Sequence, residues 1–139
     1  MDTLLEAALR KEVRAFVAAA GTRRSLPTTC HVGRPGGQQV ELPHVAGMDC
    51  ALRTDLVERA LDGLLVTEVA CAWLTRAGEL ETSDADVEWY AAARTAFARH
   101  DLALTAFCVM NRTGWVDLVS GQRRQWTRVR TRTRSATPG

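Results

Sequence analysis

Four segments between Val66 and Asn111 predict the fold of this chain: VTEVACAWL (66–74), TRAGELETSDAD (75–86), VEWYAAARTAFARH (87–100) and LALTAFCVMN (102–111). The first and last are almost wholly apolar, which is typical of strands covered on both faces. The third has apolar residues at helical spacing, and Ser83 with Asp86 before it forms a helix-capping pattern. Strand, loop, helix and strand in this order predict two parallel strands of one sheet, because parallel neighbours need a long crossover.

The chain before this unit contains two helical patterns and one hairpin pattern. The predicted elements are a helix that begins at Asp2 or Thr3 and ends before Gly21, strands at 28–34 and 38–44, and a helix from Asp49 or Thr54 to Asp62. Pro-Gly-Gly joins the two strands, and its fixed and positive φ angles suit a tight turn. Pro43 cannot donate to a ladder, which indicates that the second strand lies at an edge of the sheet or ends near this residue.

After Asn111, turn residues at 112–114 and 120–122 divide the chain into two short strands at 115–119 and 124–131. The complete order is helix, strand, strand, helix, strand, helix and three strands. We therefore predict an α/β fold, a two-layer or three-layer sandwich whose mixed sheet has a parallel pair at its centre. The length of 139 residues matches one domain. We place it at 1–134, with a disordered tail at 135–139.

Composition places the chain among ordinary globular proteins, with 46% hydrophobic and 24% charged residues. No apolar run reaches the ~18 residues of a membrane span, and Asp2, Glu6 and Glu12 stand where a signal peptide needs a basic and then apolar start. Four widely separated cysteines fit a reducing compartment. We expect a cytoplasmic protein with no membrane partner. All basic residues except Lys11 are arginine, which indicates a bacterial genome of high GC content.

The charges are distributed unevenly along the chain. Residues 1–119 carry 12 basic and 16 acidic side chains, whereas 120–139 carry six arginines and no acidic residue. In an extended chain, side chains alternate between two sides, and one side would hold Trp126, Arg128, Arg130, Arg132 and Arg134. This ladder suits an acidic partner, either nucleic acid or protein. The alternative is an edge strand whose charges protect it against unwanted pairing.

A second candidate site lies where the two central strands end. Arg76 follows the first strand and Arg112 follows the second. The carboxyl ends of parallel strands share one edge of an open α/β sheet, and ligands bind at that edge. The two arginines could therefore hold an anionic substrate. The alternative is that they pair with nearby carboxylates such as Glu79 and Glu81.

Cysteine and histidine residues near the predicted hairpin offer no standard metal site. The four candidates are Cys30, His31, His44 and Cys50. Structural zinc sites use short, paired spacings of cysteine and histidine, which this set lacks. Cys30 and His31 would also point to opposite faces of a strand. We predict no metal ion and no cofactor.

The order of elements over residues 45–120, together with Ser83 and Asp86, resembles the α/β sandwich of the JAB/MPN-type metalloproteases and the related cytidine-deaminase-like fold. In the JAB motif a strand ends in His-x-His, which is followed by seven intervening residues, then Ser, two further residues and Asp. Ser83 and Asp86 match this offset, whereas Trp73 and Thr75 occupy the histidine positions. The resemblance therefore implies the fold without the zinc site, and a relative without peptidase activity.

These patterns favour a non-catalytic binding or assembly module whose basic C-terminal strand contacts an acidic partner. The alternative is a small enzyme that binds an anionic substrate through Arg76 and Arg112. A third hypothesis is a homo-oligomer held together by an exposed edge strand.

Overall fold

The computed structural model of the chain describes residues 1–69 and 71–126. The elements are α1 (Thr3–Ala20), β1 (Thr29–Gly33), β2 (Gln39–Pro43), α2 (Cys50–Asp62), a short 3-10 helix (Val66–Glu68), β3 (Cys71–Thr75), α3 (Asp84–Arg99), β4 (Phe107–Asn111), β5 (Gly114–Asp117) and β6 (Arg123–Gln125). They form one six-stranded sheet in the order β2-β1-β3-β4-β5-β6. β3 and β4 are parallel, and their neighbours pair antiparallel. The predicted α/β fold with a mixed sheet is confirmed.

The sheet has helices on both faces, so the sandwich has three layers. Successive side chains of a strand point to opposite faces. One face packs against α2 and α3 in a core that contains Val32, Trp89 and Val109. The other face packs against α1, where Leu9 and Trp73 belong to a second cluster. The long apolar runs around β3 and β4 reflect this double cover.

Polar contacts attach α1 to both ends of the sheet. Glu12 accepts hydrogen bonds from the backbone N–H of Gly36 in the β1–β2 turn, at 2.7 Å, and from the Gln39 side chain, at 3.3 Å. At the other end Glu6 forms an ion pair with Arg124 of β6, at 3.0 Å. These contacts set the direction in which α1 crosses the sheet.

The predicted strand at 66–74 is wrong in its first half. Val66–Glu68 form a 3-10 turn, closed by the hydrogen bond from the Val69 N–H to the Val66 carbonyl. β3 begins only at Cys71, opposite Gly33, where the neighbouring strand β1 ends. A strand needs a partner for its backbone groups, and the apolar pattern does not reveal where that partner ends.

The predicted strand at 102–111 also begins too early. The Leu102 N–H bonds back to the Phe97 carbonyl, and Asp101 has a positive φ of 54°, which is a helix-ending arrangement. β4 begins at Phe107, opposite Ala72 of β3. The intervening residues therefore form the connection that leads from α3 to the sheet.

The ends of the helices follow the capping patterns closely. Asp2 rather than Thr3 caps α1, and Asp49 caps α2, which therefore begins at Cys50 rather than Thr54. Ser83 and Asp86 form the predicted capping box of α3. Pro43 ends β2, which lies at the edge of the sheet as predicted. The last strand begins at Arg123, and the predicted part of it beyond Trp126 lies outside the described residues.

Candidate functional site

Arg76 follows β3 directly, and its side chain is buried against the start of α3. Its guanidinium meets the Asp86 carboxylate in a two-bond arrangement, with Nε–Oδ1 at 3.0 Å and Nη2–Oδ2 at 2.8 Å. Asp86 has no exposed surface and Arg76 is only 8% exposed. Planar two-bond geometry of this kind is the strongest form of an arginine–carboxylate contact.

The remaining donors of Arg76 point at backbone carbonyls of the loop that surrounds it. Nη1 donates to the carbonyls of Ala77, at 2.9 Å, and Glu79, at 2.8 Å, and Nη2 donates to that of Glu81, at 3.1 Å. An arginine side chain has five N–H donors, and here each has an acceptor. Arg76 thus contacts the backbone carbonyls of Glu79 and Glu81 and not their side-chain carboxylates. Arg76 therefore retains no donor for an anionic ligand.

The loop around Arg76 is closed from the β4 side as well. The Asn111 side chain donates to the Gly78 carbonyl at 2.8 Å, and its oxygen accepts from the backbone of Thr113 and Gly114. Asp86 also accepts from the Ser83 N–H at 2.9 Å. The carboxyl edge of the parallel pair is thus filled by the protein's own loop.

Arg112 is directed to a different place. Its Nη2 donates to the backbone carbonyls of Gly21 and Arg23, in the connection between α1 and β1. Arg76 donates only to its own loop and to α3. The structure therefore does not bring these two arginines together around a shared ligand position.

Side chains of α1 contact the described residues of the C-terminal segment, including the candidate Trp126. Arg10 lies over the Trp126 ring, with Cζ 5.3 Å from the ring centroid, and Arg124 pairs with Glu6. Arg123 is exposed on the opposite face of the sheet. Arg128, Arg130, Arg132 and Arg134 lie outside the described residues.

The hydrogen bonding of β6 leaves part of its backbone directed outward. The Asp117 N–H donates to the Gln122 carbonyl at 2.8 Å, and the Trp126 N–H donates to the Thr113 carbonyl at 2.7 Å. In an antiparallel ladder, every second residue exchanges hydrogen bonds with the neighbouring strand. Arg124 is such a residue and bonds to β5. The backbone N–H and C=O groups of Arg123 and Gln125 point away from β5. Gly114 permits the close approach of β6, since a Cβ there would lie 2.0 Å from the Arg124 carbonyl oxygen.

The four candidate metal ligands are dispersed. Cys30 is buried in the core under α2 and α3. His31 lies on the other face of β1, stacked on Trp73 with ring centroids 5.1 Å apart. His44 accepts a hydrogen bond from the Trp89 indole at 2.9 Å, and Cys50 is exposed at the start of α2. No group of three or more His, Cys, Asp or Glu residues within 1–69 and 71–126 is arranged to hold a metal ion.

Burial also makes the sheet cysteines poor nucleophiles. Burial raises the pKa of the Cys71 thiol to about 12, and it raises the pKa of Cys30 and Cys108 well above the ordinary range. The thiolate is the reactive form of cysteine. These three side chains therefore act as packed apolar groups at neutral pH.

His31 gives the protein a defined dependence of stability on pH. Burial lowers the pKa of His31 from 6.5, although Gln39, Glu41 and Glu12 act in the opposite direction. The stability it contributes is complete above 6.5 and is lost as pH falls through 6.5 toward the lower folded pKa. His100 acts oppositely, since its hydrogen bond to Asp62 raises its pKa. Its contribution is complete below 6.5 and is lost as pH rises through the raised folded value.

We therefore expect the free energy of unfolding of a His100→Gln variant to decrease from about pH 7.5 to about pH 5.5. Urea unfolding at several pH values measures this, and His31→Asn in the same background should remove most of the slope. An NMR titration that placed the midpoint of His31 at or above 6.5 would contradict the expectation.

Comparison with known proteins finds no counterpart for this chain. No protein-family model, no curated protein and no solved structure matches it. In the part of the chain that the structure describes, no helix is long and apolar enough to cross a membrane. The resemblance to the JAB/MPN-type fold stays a prediction. Trp73 is buried, Thr75 bonds to His31, and Ser83 and Asp86 hold α3 and Arg76.

Proposed function

We propose that this protein is a non-catalytic binding module that pairs β6 with an extended acidic segment of a partner protein. The observation that supports this most directly is the outward direction of the Arg123 and Gln125 backbone groups at the edge of the sheet. All three residues of β6 are exposed. Extended peptides bind to such edges by adding a strand, with main-chain hydrogen bonds supplying affinity.

Charge supports an acidic partner. Arg123 forms no ion pair with a described residue, whereas Arg124 pairs with Glu6. Residues 120–139 contain six arginines and no acidic side chain. Opposite charge increases the rate of encounter and disfavours partners of the same sign. A second copy of this chain would place arginine opposite arginine at the edge, which argues against pairing between copies.

The geometry favours a protein strand over nucleic acid. The Trp126 ring already carries Arg10 on it, which occupies a surface that a stacked base would need. The N–H and C=O groups at the sheet edge form a row that can pair with the N–H and C=O groups of another strand. A phosphate backbone does not offer donors and acceptors in this arrangement. The experiment must therefore distinguish the binding of nucleic acid from the binding of a protein strand.

The test uses Gln125→Pro, which removes an outward N–H without removing a hydrogen bond to β5. We expect this variant to bind an extended peptide of alternating Glu and Val roughly tenfold more weakly, the effect of about one lost hydrogen bond. Gln125→Ala is the matched control, because it removes only the side-chain contact to Thr113. Fluorescence anisotropy of the labelled peptide at low and high salt measures both variants.

Three results would overturn the proposal. One is no detectable binding of the acidic peptide, and another is equal binding by Gln125→Pro and Gln125→Ala. The third is displacement of the peptide by a short DNA duplex that binds more tightly. Light scattering of the wild type and of Gln125→Pro checks for self-association, and self-association that this variant abolishes would assign the edge to a second copy.

A further inference from the structure

The outer face of α3 carries a stripe that packs against no other described helix. Val87, Tyr90, Arg94 and Ala98 follow one another at intervals of three or four residues, which places them on one side of the helix. Val87 is 52% exposed, Arg94 and Ala98 are exposed, and Tyr90 is half-buried. The side of α3 turned away from Arg94 and Ala98 holds core residues such as Trp89 and Ala96.

A groove runs along the part of this stripe from Tyr90 to Ala98. It has a volume of about 800 Å³, and its apolar wall includes Tyr90, Leu102 and Leu104. Tyr90 contacts Phe107 of β4, with ring centroids 5.4 Å apart. Leu102 and Leu104 come from the connection that leads from α3 to β4. The groove therefore lies between α3 and this connection, and Tyr90 links its wall to β4.

The sheet continues beyond the groove without a helix above it among the described residues. Val116 of β5 and the neighbouring Leu118 are only half-buried on this face, and Arg123 of β6 is exposed. Leu118 is next to Phe107, the ring that contacts Tyr90 of the groove wall, since the Leu118 N–H donates to the Phe107 carbonyl at 2.8 Å. α2 and α3 fill two positions of this layer, and no helix within 1–69 and 71–126 occupies the position beside α3 over β5 and β6.

The charges around the groove identify the kind of helix. Arg94 lies over the Tyr90 ring, with Cζ 5.6 Å from the centroid, and Arg123 borders the open sheet. Within the described part of the chain, neither has a carboxylate within 4.0 Å, whereas Arg99 pairs with Glu58 at 2.7 Å. The groove therefore offers an apolar floor with uncompensated positive charge beside it.

We infer that this groove binds an amphipathic acidic helix of a partner protein, at a surface separate from the β6 edge. The distance along α3 from Tyr90 to Ala98 is ~12 Å, about two turns of an adjacent helix. Apolar anchors at helical spacing would contact Tyr90 and Leu104, and acidic side chains would reach Arg94 and Arg123. The residues after Arg123 are a poor occupant because their charge is also positive, and a second copy would bring Arg94 near Arg94.

The test uses a synthetic helix of about 18 residues with Leu on one face and Glu on the other, labelled for anisotropy. We expect Arg94→Glu to weaken its binding by roughly tenfold or more through charge reversal. Ala98→Gln should weaken it too, because the larger side chain fills the groove. The matched controls on α1, Lys11→Glu and Ala15→Gln, change exposed residues on the other side of the sheet and should leave binding within about twofold.

Several outcomes would overturn the inference. One is that a control peptide with Lys in place of Glu binds as tightly as the acidic peptide. Another is that the α1 variants lose as much affinity as the α3 variants. The third is self-association of the protein that Arg94→Glu abolishes. Gln125→Pro separates the two surfaces, since it should leave binding of the helical peptide unchanged. If Gln125→Pro weakens that binding as much as Arg94→Glu does, the helix binds at the β6 edge and the groove is excluded. Circular dichroism of every variant confirms that it is folded.

Discussion

Replacing Asp86 by alanine is expected to lower the free energy of unfolding by about 3–5 kcal/mol. The substitution leaves the buried guanidinium of Arg76 without its carboxylate, and two of its five donors lose their acceptors. It also removes the acceptor for the Ser83 N–H in the capping box of α3. Urea unfolding followed by circular dichroism at neutral pH measures the loss.

The controls for this prediction separate burial from charge. Asp84→Ala removes an exposed carboxylate from the same first turn of α3, and it should cost no more than about 1 kcal/mol. The double variant Arg76→Met/Asp86→Leu should recover much of the loss, because it removes both charges together. A loss for Asp86→Ala no larger than that for Asp84→Ala would show that the Arg76–Asp86 pair does not hold this edge together.

Replacing Trp89 by alanine should cost about 3–5 kcal/mol, because a large cavity forms in the core under α2 and α3. Trp89 is fully buried, and its Nε1 donates to His44 Nδ1 at 2.9 Å. The contact links α3 to the residue that follows β2. Urea unfolding measures this loss. If the free energy of unfolding falls with urea concentration at the same slope as in the wild type, the substitution has changed the stability and not the compactness of the folded or unfolded state.

A matched pair of phenylalanine variants tests the hydrogen bond itself. Trp89→Phe removes a donor that has an acceptor, whereas Trp73→Phe removes a buried indole N–H that has no partner among the described residues. We expect Trp89→Phe to cost about 1 kcal/mol more than Trp73→Phe, since only the first loses a hydrogen bond. A larger loss for Trp73→Phe would point instead to its stacking contact with His31.

The Arg76–Asp86 pair also bears on function. A ligand-binding arginine needs a donor directed at solvent or into a pocket, and the donors of Arg76 all have acceptors in its own loop. The enzyme hypothesis loses the residue on which it depended. Arg123 at the β6 edge and Arg94 on the outer face of α3 form no ion pair with a described residue. Our proposals therefore rest on these two surfaces and not on Arg76.

Local patterns predicted much of this site, but not its partners. Ser83 and Asp86 were recognisable as a capping box because the interaction spans three residues. The same Asp86 also pairs with Arg76, ten residues away across a loop, and no local pattern indicates that contact. The helical spacing over 87–100 predicted α3, but it did not indicate that Val87, Tyr90 and Arg94 would form an uncovered stripe on that helix. What made it a groove was the position of Leu102 and Leu104, which folding alone brings beside it.

The α/β class, the order of the elements, the parallel central pair and the approximate ends of the helices were predictable from the amino-acid sequence. These features depend on apolar periodicity and on caps, which act between residues close in the chain. Only the tertiary structure decided that α1 covers one face alone, that β3 and β4 begin at Cys71 and Phe107, and that Arg76 and Arg112 are held by different groups. A strand begins where another strand can pair with it, and an arginine binds whichever acceptors the fold places around it. Both depend on contacts between distant parts of the chain.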